Sequence, residues 1–151
     1  MDNDEVISVL NDLIETSKDG EEGFRTCAEN VSSPQLRTLL MNRAQSCATA
    51  AVDLQELVRS YGGNPETSGG LGGALHRRWV DLKSAVTGKD DVAVLNECER
   101  GEDVAVSSYR NALDKKLPAE VRAVVERQFQ GVLKNHDDVK RLREQYPRGL
   151  S

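Results

Sequence analysis

Three side chains on or beside predicted buried faces could bind a metal ion: Glu102, His136 and Glu21. Carboxylates and imidazoles are ligands that iron, manganese and zinc accept in proteins. A paired-iron centre in a helical bundle takes one Glu from each of two helices and a Glu-x-x-His from each of the other two. The chain contains no Glu-x-x-His, because Leu133 and Gly73 stand three residues before its two histidines. The sequence therefore predicts at most a reduced metal site.

Each of the three candidates also has a structural interpretation. A buried carboxylate is costly unless it is paired, and Arg43 lies on the buried side of the second predicted helix. We therefore favour an ion pair with Arg43, or a hydrogen bond to Tyr109, over a ligand role for Glu102. His136 is more often a satisfied core or boundary histidine than a lone ligand. Glu21 borders the buried stripe and fits either interpretation.

Helical periodicity runs through the whole chain, and no strand pattern interrupts it. The first stripe has apolar or small residues spaced three and four apart, namely Val6, Leu10, Leu13, Ser17, Gly20, Phe24, Cys27 and Val31. Ser33 and Pro34 predict a helix start, and Gly62 with Gly63 predicts a helix end. The predicted helices span about residues 4–31, 34–61, 74–87, 90–115 and 118–146.

These elements predict an all-α fold in one domain, residues 1–151. The turns at 32–33 and 116–117 are short, so each joins two antiparallel helices. The long connection between the two pairs carries the short helix 74–87 and can cross the length of the bundle. We therefore expect a four-helix bundle made of two antiparallel hairpins joined by a long crossover.

An internal repeat relates the two hairpins, because residues 85 positions apart are similar. The matched pairs are Leu10 and Leu95, Asn11 and Asn96, Phe24 and Tyr109, Arg25 and Arg110, Leu36 and Val121, Leu40 and Val125, Leu54 and Val139, Leu57 and Leu142, and Tyr61 and Tyr146. In this register the ligand slots become Ser17, Ala48 and Ala51 in the first hairpin and Glu102, Leu133 and His136 in the second. Only two of these slots carry a residue that binds metal.

Glycines occur inside the predicted helices, where each costs about 1 kcal/mol relative to alanine. They are Gly20, Gly23, Gly101 and Gly131. One interpretation is close helix approach or room for a large side chain. The other is a cavity in the middle of the bundle, beside Glu21 and Glu102, that admits water, an ion or a small ligand.

Charge and cysteine content exclude several classes of protein. The net charge is −5 with acidic and basic residues interspersed, which does not suit a nucleic-acid surface. The sequence contains no run of 18 apolar residues, so we expect no membrane span. Its first residues lack the basic and apolar regions of a signal peptide. Cys27, Cys47 and Cys98 fall on buried stripes, where thiols act as small apolar side chains. We expect reduced thiols and a soluble cytoplasmic protein.

Four sequence strings resemble a known bacterial family of four-helix-bundle proteins. They are LNDLIETSKDGEEGFRTCAEN, YGGNPETSGGLGGALHRRWVDLKSAVTGKDD, ECERGEDVAVSSYRNAL and LPAEVRAVVERQFQGV. That family is catalogued as domain of unknown function 2383, and its members are regarded as ferritin-like. The resemblance implies a ferritin-like fold and a prokaryotic source, with no established activity. The stretch from Leu10 to Leu13 also resembles the bacterioferritin pattern, with Ser17 where that pattern carries a ligand glutamate.

Three functions are compatible with the sequence. The first is a non-catalytic bundle with a degenerate di-metal site, in an assembly or stress-related role, and we expect a homo-oligomer such as a dimer. The second is a metal-binding protein or oxidoreductase with a reduced site around Glu102 and His136, which would take iron, manganese or zinc. The third is a partner-binding module that uses the crossover residues His76, Arg77, Arg78 and Trp79.

Overall fold

The computed structural model describes residues 1–67 and 91–145, and these residues form four long helices. The helices are α1 (Asn3–Asn30), α2 (Pro34–Ser60), α3 (Asp91–Leu113) and α4 (Ala119–Gln145). Their bounds agree within two residues with the predictions for the four long segments. The predicted short helix 74–87 lies outside the described residues. None of the four helices has an apolar stretch that could span a membrane.

Side-chain caps and an aspartate from a distant segment fix the turn between α1 and α2. The Ser33 side chain accepts a hydrogen bond from the Leu36 backbone N–H, and Pro34 occupies the first turn of α2. The carboxylate of Asp91 accepts hydrogen bonds from the Ser32 N–H at 2.7 Å and the Ser33 N–H at 3.3 Å. The first residue of α3 is therefore held against the turn that starts α2.

The end of α2 is a glycine cap in which the last carbonyls of the helix find donors. Gly62 has φ of +81°, a left-handed conformation that costs little only for glycine. The Gly62 N–H donates to the Arg59 carbonyl, and the Gly63 N–H donates to the Val58 carbonyl. A Cβ atom on Gly63 would lie 2.8 Å from the Ile7 side chain, so this position is also restricted by packing.

These contacts establish the topology. The α1–α2 and α3–α4 turns are short, and each joins two packed helices. Because α3 starts beside the start of α2, the end of α2 and the start of α3 lie about 40 Å apart, the length of a 27-residue helix. The prediction of two antiparallel hairpins joined by a long crossover is confirmed.

Two apolar clusters fill the ends of the bundle. One combines the C-terminal half of α1 with the N-terminal halves of α2 and α3, and contains Phe24, Cys27, Leu40, Leu95 and Cys98 among others. The other combines the N-terminal half of α1 with the C-terminal halves of α2 and α3 and with α4, and contains Leu10, Ile14, Leu54, Tyr109 and Val125 among others. Between the clusters lie buried polar side chains, which form the site described next.

The predicted stripe of α1 is buried at every position. On α2, Leu36, Leu40 and Leu54 are buried, whereas Leu57 is half-buried and its neighbour Val58 is buried. His136 and Leu142 of α4 are likewise half-buried. Leu57, His136 and Leu142 stay partly exposed because α2 and α4 touch each other at few points.

Candidate functional site

A buried ion pair crosses the interior from one hairpin to the other. Arg43 of α2 donates from Nε to the Glu102 Oε1 atom of α3 at 2.7 Å. Glu102 is fully buried, and Arg43 is 8% exposed. The guanidinium carbon of Arg43 lies 5.2 Å from the centre of the Phe24 ring, a cation–π distance. The ion-pair interpretation of Glu102 agrees with the structure.

Burial and the partner's charge act on the Glu102 carboxyl in opposite directions. Burial raises its pKa, and the neighbouring Arg43 guanidinium lowers it by less, so the net shift is upward. For Arg43, burial lowers the pKa, but the nearby Cys47 and Glu102 raise it by more, so the net shift is upward. The second carboxylate oxygen, Oε2, has no hydrogen-bond partner among the described residues. The pair therefore leaves one acceptor atom buried and unsatisfied.

A second polar contact lies about two helical turns further along the bundle. The Tyr109 hydroxyl donates to the Gln128 Oε1 atom at 2.9 Å, and the Gln128 amide donates to the Ala50 carbonyl at 3.3 Å. Burial raises the pKa of Tyr109 to about 12, although a hydrogen bond with Ser17 opposes the shift. Tyr109 therefore stays protonated at neutral pH and acts as a hydrogen-bond donor.

The other two predicted metal-binding residues make their close contacts with residues other than Glu102. The Glu21 carboxylate accepts a hydrogen bond from Arg25 of the same helix at 3.0 Å and lies 3.9 Å from the Lys18 ammonium. The Nε2 atom of His136 is 2.6 Å from the Asp103 Oδ1 atom, in a contact that joins α4 to α3. Asp103 is exposed while Glu102, its neighbour in sequence, faces the interior.

This donor set does not fit a pair of metal ions. Within residues 1–67 and 91–145, no group of three or more His, Cys, Asp or Glu side chains could hold a metal ion. Glu102 already faces the positive charge of Arg43, and Ser17 occupies the matching position on α1. Two cations here would meet a guanidinium and a hydroxyl where several carboxylates are needed.

A cavity of about 340 Å³ opens beside the ion pair, and all four helices line it. Arg43, Tyr109 and Gln128 contribute polar groups to its wall. Three of the four helical glycines line it as well, namely Gly20, Gly101 and Gly131. The prediction of a cavity in the middle of the bundle is therefore confirmed, although neither Glu21 nor Glu102 lines it.

The two helical glycines Gly20 and Gly131 have different surroundings. A Cβ atom on Gly20 would lie 3.1 Å from the Cys47 sulfur, so α1 and α2 approach closely there. A Cβ atom on Gly131 would meet nothing within 4 Å. Packing therefore explains Gly20, and open space alone surrounds Gly131.

All three cysteines are buried, as predicted, and none forms a disulfide. Burial raises the pKa of Cys47 to about 11. Burial also raises the pKa of Cys98, which lies next to Cys27. The thiols of Cys47 and Cys98 therefore stay protonated at neutral pH, and all three buried cysteines act as packing groups.

The sequence left the place of Gln128 open and did not predict that Asp19 is buried. Gln128 fits either a buried or an exposed position by periodicity, although it stands 85 residues after Arg43 and repeats its place in the fold. Asp19 is a buried acidic residue that the spacing of the stripe did not predict. The crossover residues His76, Arg77, Arg78 and Trp79 lie outside the described residues.

Residues 5–115 match the model of the family described as "Domain of unknown function (DUF2383)". The chain belongs to this family. The match covers both halves of the buried ion pair, Arg43 and Glu102. No curated protein matches the chain in sequence.

Solved structures of similar fold come from several bacteria. A point mutant of Dps1 from Mycobacterium smegmatis has a TM-score of 0.75 at 14% identity, over 91% of this chain and 94% of that one. The bacterioferritin-related protein from Bacteroides fragilis, a dodecameric thioferritin, has a TM-score of 0.61 at 16% identity, over 98% and 94%. A two-domain protein from Anabaena variabilis, with DJ-1/ThiJ/PfpI-like and ferritin-like domains, has a TM-score of 0.76 at 10% identity, over 100% and 41%. The fold is a ferritin-like four-helix bundle.

Proposed function

We propose that this member of the DUF2383 family is a non-catalytic ferritin-like bundle with a degenerate di-metal site, and that it acts by self-assembly in the bacterial cytoplasm. The observation that carries the proposal is the 2.7 Å contact between Arg43 Nε and Glu102 Oε1. In this pair a protein guanidinium supplies the positive charge opposite a buried carboxylate. A metal ion would have to displace it or share the carboxylate with it.

Energetic considerations support the loss of the metal centre. Bound metal stabilises a folded protein only if enough deprotonated ligands surround it. The interior around Glu102 offers one carboxylate oxygen beyond the atom that Arg43 occupies. Expelling Arg43 would cost several kcal/mol of unpaired buried charge, which one additional oxygen ligand does not offset.

Metal loading tests the proposal. The purified protein is incubated with iron(II), manganese(II) or zinc(II), desalted, and submitted to elemental analysis. We expect less than about a tenth of an equivalent per chain. The Arg43→Gln variant, which removes the guanidinium but keeps a polar side chain, reports whether Arg43 itself blocks binding. Two equivalents per chain in the natural protein would contradict the proposal.

Self-assembly into a homodimer is supported by a stripe on the outer face of α2. Met41 is 40% exposed and Val52 is 48% exposed, and their spacing of eleven residues places them on one side of the helix. A structural neighbour is described as dodecameric, so this architecture can assemble. A second copy of the chain is the occupant we assign to this stripe.

Light scattering after size-exclusion chromatography tests the assembly. We expect a dimer for the natural protein and a monomer for Val52→Glu, because a charge in an apolar interface is costly. Gln130→Glu, on the exposed side of α4, is the matched control and should remain dimeric. A natural protein that is monomeric at high concentration would contradict this part of the proposal.

A reduced metal site is the second candidate, and it rests on Glu102 Oε2, which is buried without a described hydrogen-bond partner. His136 and Asp103 form a close pair on the neighbouring helix face, and the charge of His136 acts on the Glu102 carboxyl. One iron, manganese or zinc ion held by Glu102 and His136 would give one equivalent in the loading experiment, and Glu102→Gln and His136→Gln would each abolish it.

A further inference from the structure

The cavity beside Arg43 contains donors that the fold does not use. Arg43 donates one hydrogen bond, from Nε to Glu102. Within residues 1–67 and 91–145, its two terminal Nη groups have no hydrogen-bond partner, yet the side chain is more than nine-tenths buried and lines the cavity. Neither Nη atom is among the fully buried polar atoms that lack a partner, so these N–H donors are accessible from the cavity. The arrangement is suited to an external acceptor.

We propose that this cavity binds a small monocarboxylate with an apolar body, and that the Nη groups of Arg43 receive the carboxylate. A guanidinium fork matches the two oxygens of a carboxylate, and the resulting hydrogen bonds are charge-assisted. With about 340 Å³, the cavity lies at the lower end of the range for ligand pockets. A small ligand fits a cavity of this volume.

The wall of the cavity sets the rest of the ligand's chemistry. Phe24, Ala105 and Val132 line it with apolar surface, which favours a hydrocarbon body. The Tyr109 hydroxyl and the Gln128 amide are engaged with each other, so they add polarity without an additional charge. Arg127 and Asp53 also line the cavity, and their opposite charges offset each other.

Glu102 makes the proposal testable beyond a simple loss of binding. Its carboxylate partly neutralises Arg43 from the side away from the cavity, because it contacts Nε and does not line the cavity. Replacing Glu102 by glutamine keeps an acceptor of the same shape but removes the competing negative charge. A bound carboxylate should then interact more strongly with Arg43.

The probe is benzoate, with benzamide as a neutral control of the same shape, titrated into the full-length protein and followed by NMR. We expect saturable one-to-one binding of benzoate, and benzamide weaker by at least about tenfold, as a charged hydrogen bond requires. Glu102→Gln should bind benzoate more tightly, and Arg43→Gln should bind it at least about tenfold more weakly. Arg141→Gln, at an exposed arginine of α4 that does not line the cavity, is the control for nonspecific attraction and should change affinity little.

Other results overturn the inference. They are equal binding of benzoate and benzamide, no saturable benzoate binding, or an affinity that Glu102→Gln leaves unchanged or lowers. If Arg43→Gln does not fold, the Glu102→Gln and benzamide comparisons still decide. The result is independent of the metal-loading experiment, since a bundle without metal can bind a carboxylate or fail to bind it.

Discussion

The second helices of the two hairpins have matching lengths, but the hairpins contribute opposite members of the buried ion pair. The range of α4, Ala119–Gln145, lies 85 residues after that of α2, Pro34–Ser60, with no residue gained or lost. The first hairpin nevertheless provides the buried cation Arg43, and the second provides the buried anion Glu102. At the matching positions stand Gln128 and Ser17, which are uncharged. The repeat has diverged so that each half depends on the other.

The hairpins also differ in how much of their second helix is buried. Eight residues of α2 are buried, whereas only four residues of α4 are buried. Those four residues of α4 are all valines. With fewer apolar contacts, α4 relies more on polar links such as those of Gln128 and His136. The difference indicates that the polar layer holds the second hairpin in place as well as filling the interior.

The largest expected effect separates Glu102 from Ser17, its counterpart in the repeat. Glu102→Ala should lower the free energy of unfolding by about 3–5 kcal/mol, because it leaves Arg43 buried without its partner. Ser17→Ala should cost only about 1 kcal/mol, since it removes one neutral hydrogen bond. Urea denaturation followed by circular dichroism measures both. Equal losses would mean that the two hairpins contribute alike to the interior.

The next effect concerns the polar link of α4. Tyr109→Phe removes the hydroxyl that donates to Gln128 and should cost about 1 kcal/mol or somewhat more, since the Gln128 oxygen loses its donor. Hydrogen exchange should rise more in α4 than in α2, because α4 has less apolar burial to hold it. A uniform rise in both helices would contradict the assigned dependence of α4 on this contact.

Replacing a helical glycine by alanine should change the stability of the protein differently in the two hairpins. Gly131→Ala in α4 meets open space and should stabilise the protein by about 0.5–1 kcal/mol through helix propensity. Gly20→Ala in α1 places a methyl group 3.1 Å from the Cys47 sulfur, so the propensity gain should be cancelled or reversed. Thermal unfolding of the two variants checks this. Stabilisation by Gly20→Ala equal to that by Gly131→Ala would show that the α1–α2 contact is loose.

The smallest expected effect is a pH dependence carried by Glu102. Burial raises its pKa in the folded protein above the ordinary 4.5, so between the two values the folded state binds more protons than the unfolded chain. Stability from this group therefore falls as pH rises from about 4.5, with a slope of at most about 1.4 kcal/mol per pH unit. The difference in unfolding free energy between the natural protein and Glu102→Gln, measured over a pH series, should decrease in that direction. An increase over the same range would refute the assigned direction.

Much of the fold and part of the site could be predicted from the sequence. The stripe of α1 was predictable because its apolar spacing is regular. The Arg43–Glu102 pair was one of two arrangements predicted for Glu102, beside a hydrogen bond to Tyr109, because a buried carboxylate needs a partner. Two features were not predictable. The exact rotation of α4 decides that His136 meets Asp103, and the burial of Asp19 depends on packing around α1, so neither has a local sequence signature.

The most direct test of the interior pairing is a double-mutant cycle on Arg43→Met and Glu102→Leu. If the two side chains form a buried ion pair, each single variant should lose about 3–5 kcal/mol, and the double variant should recover much of that loss because no unpaired charge remains. The predicted interaction energy is therefore at least as large as one single loss, about 3–5 kcal/mol, which lies above the usual range of about 0.5–3 kcal/mol for contacting residues. Losses that add within about 0.5 kcal/mol would show that the two residues act independently, and would contradict the view that the two hairpins are joined by this pair.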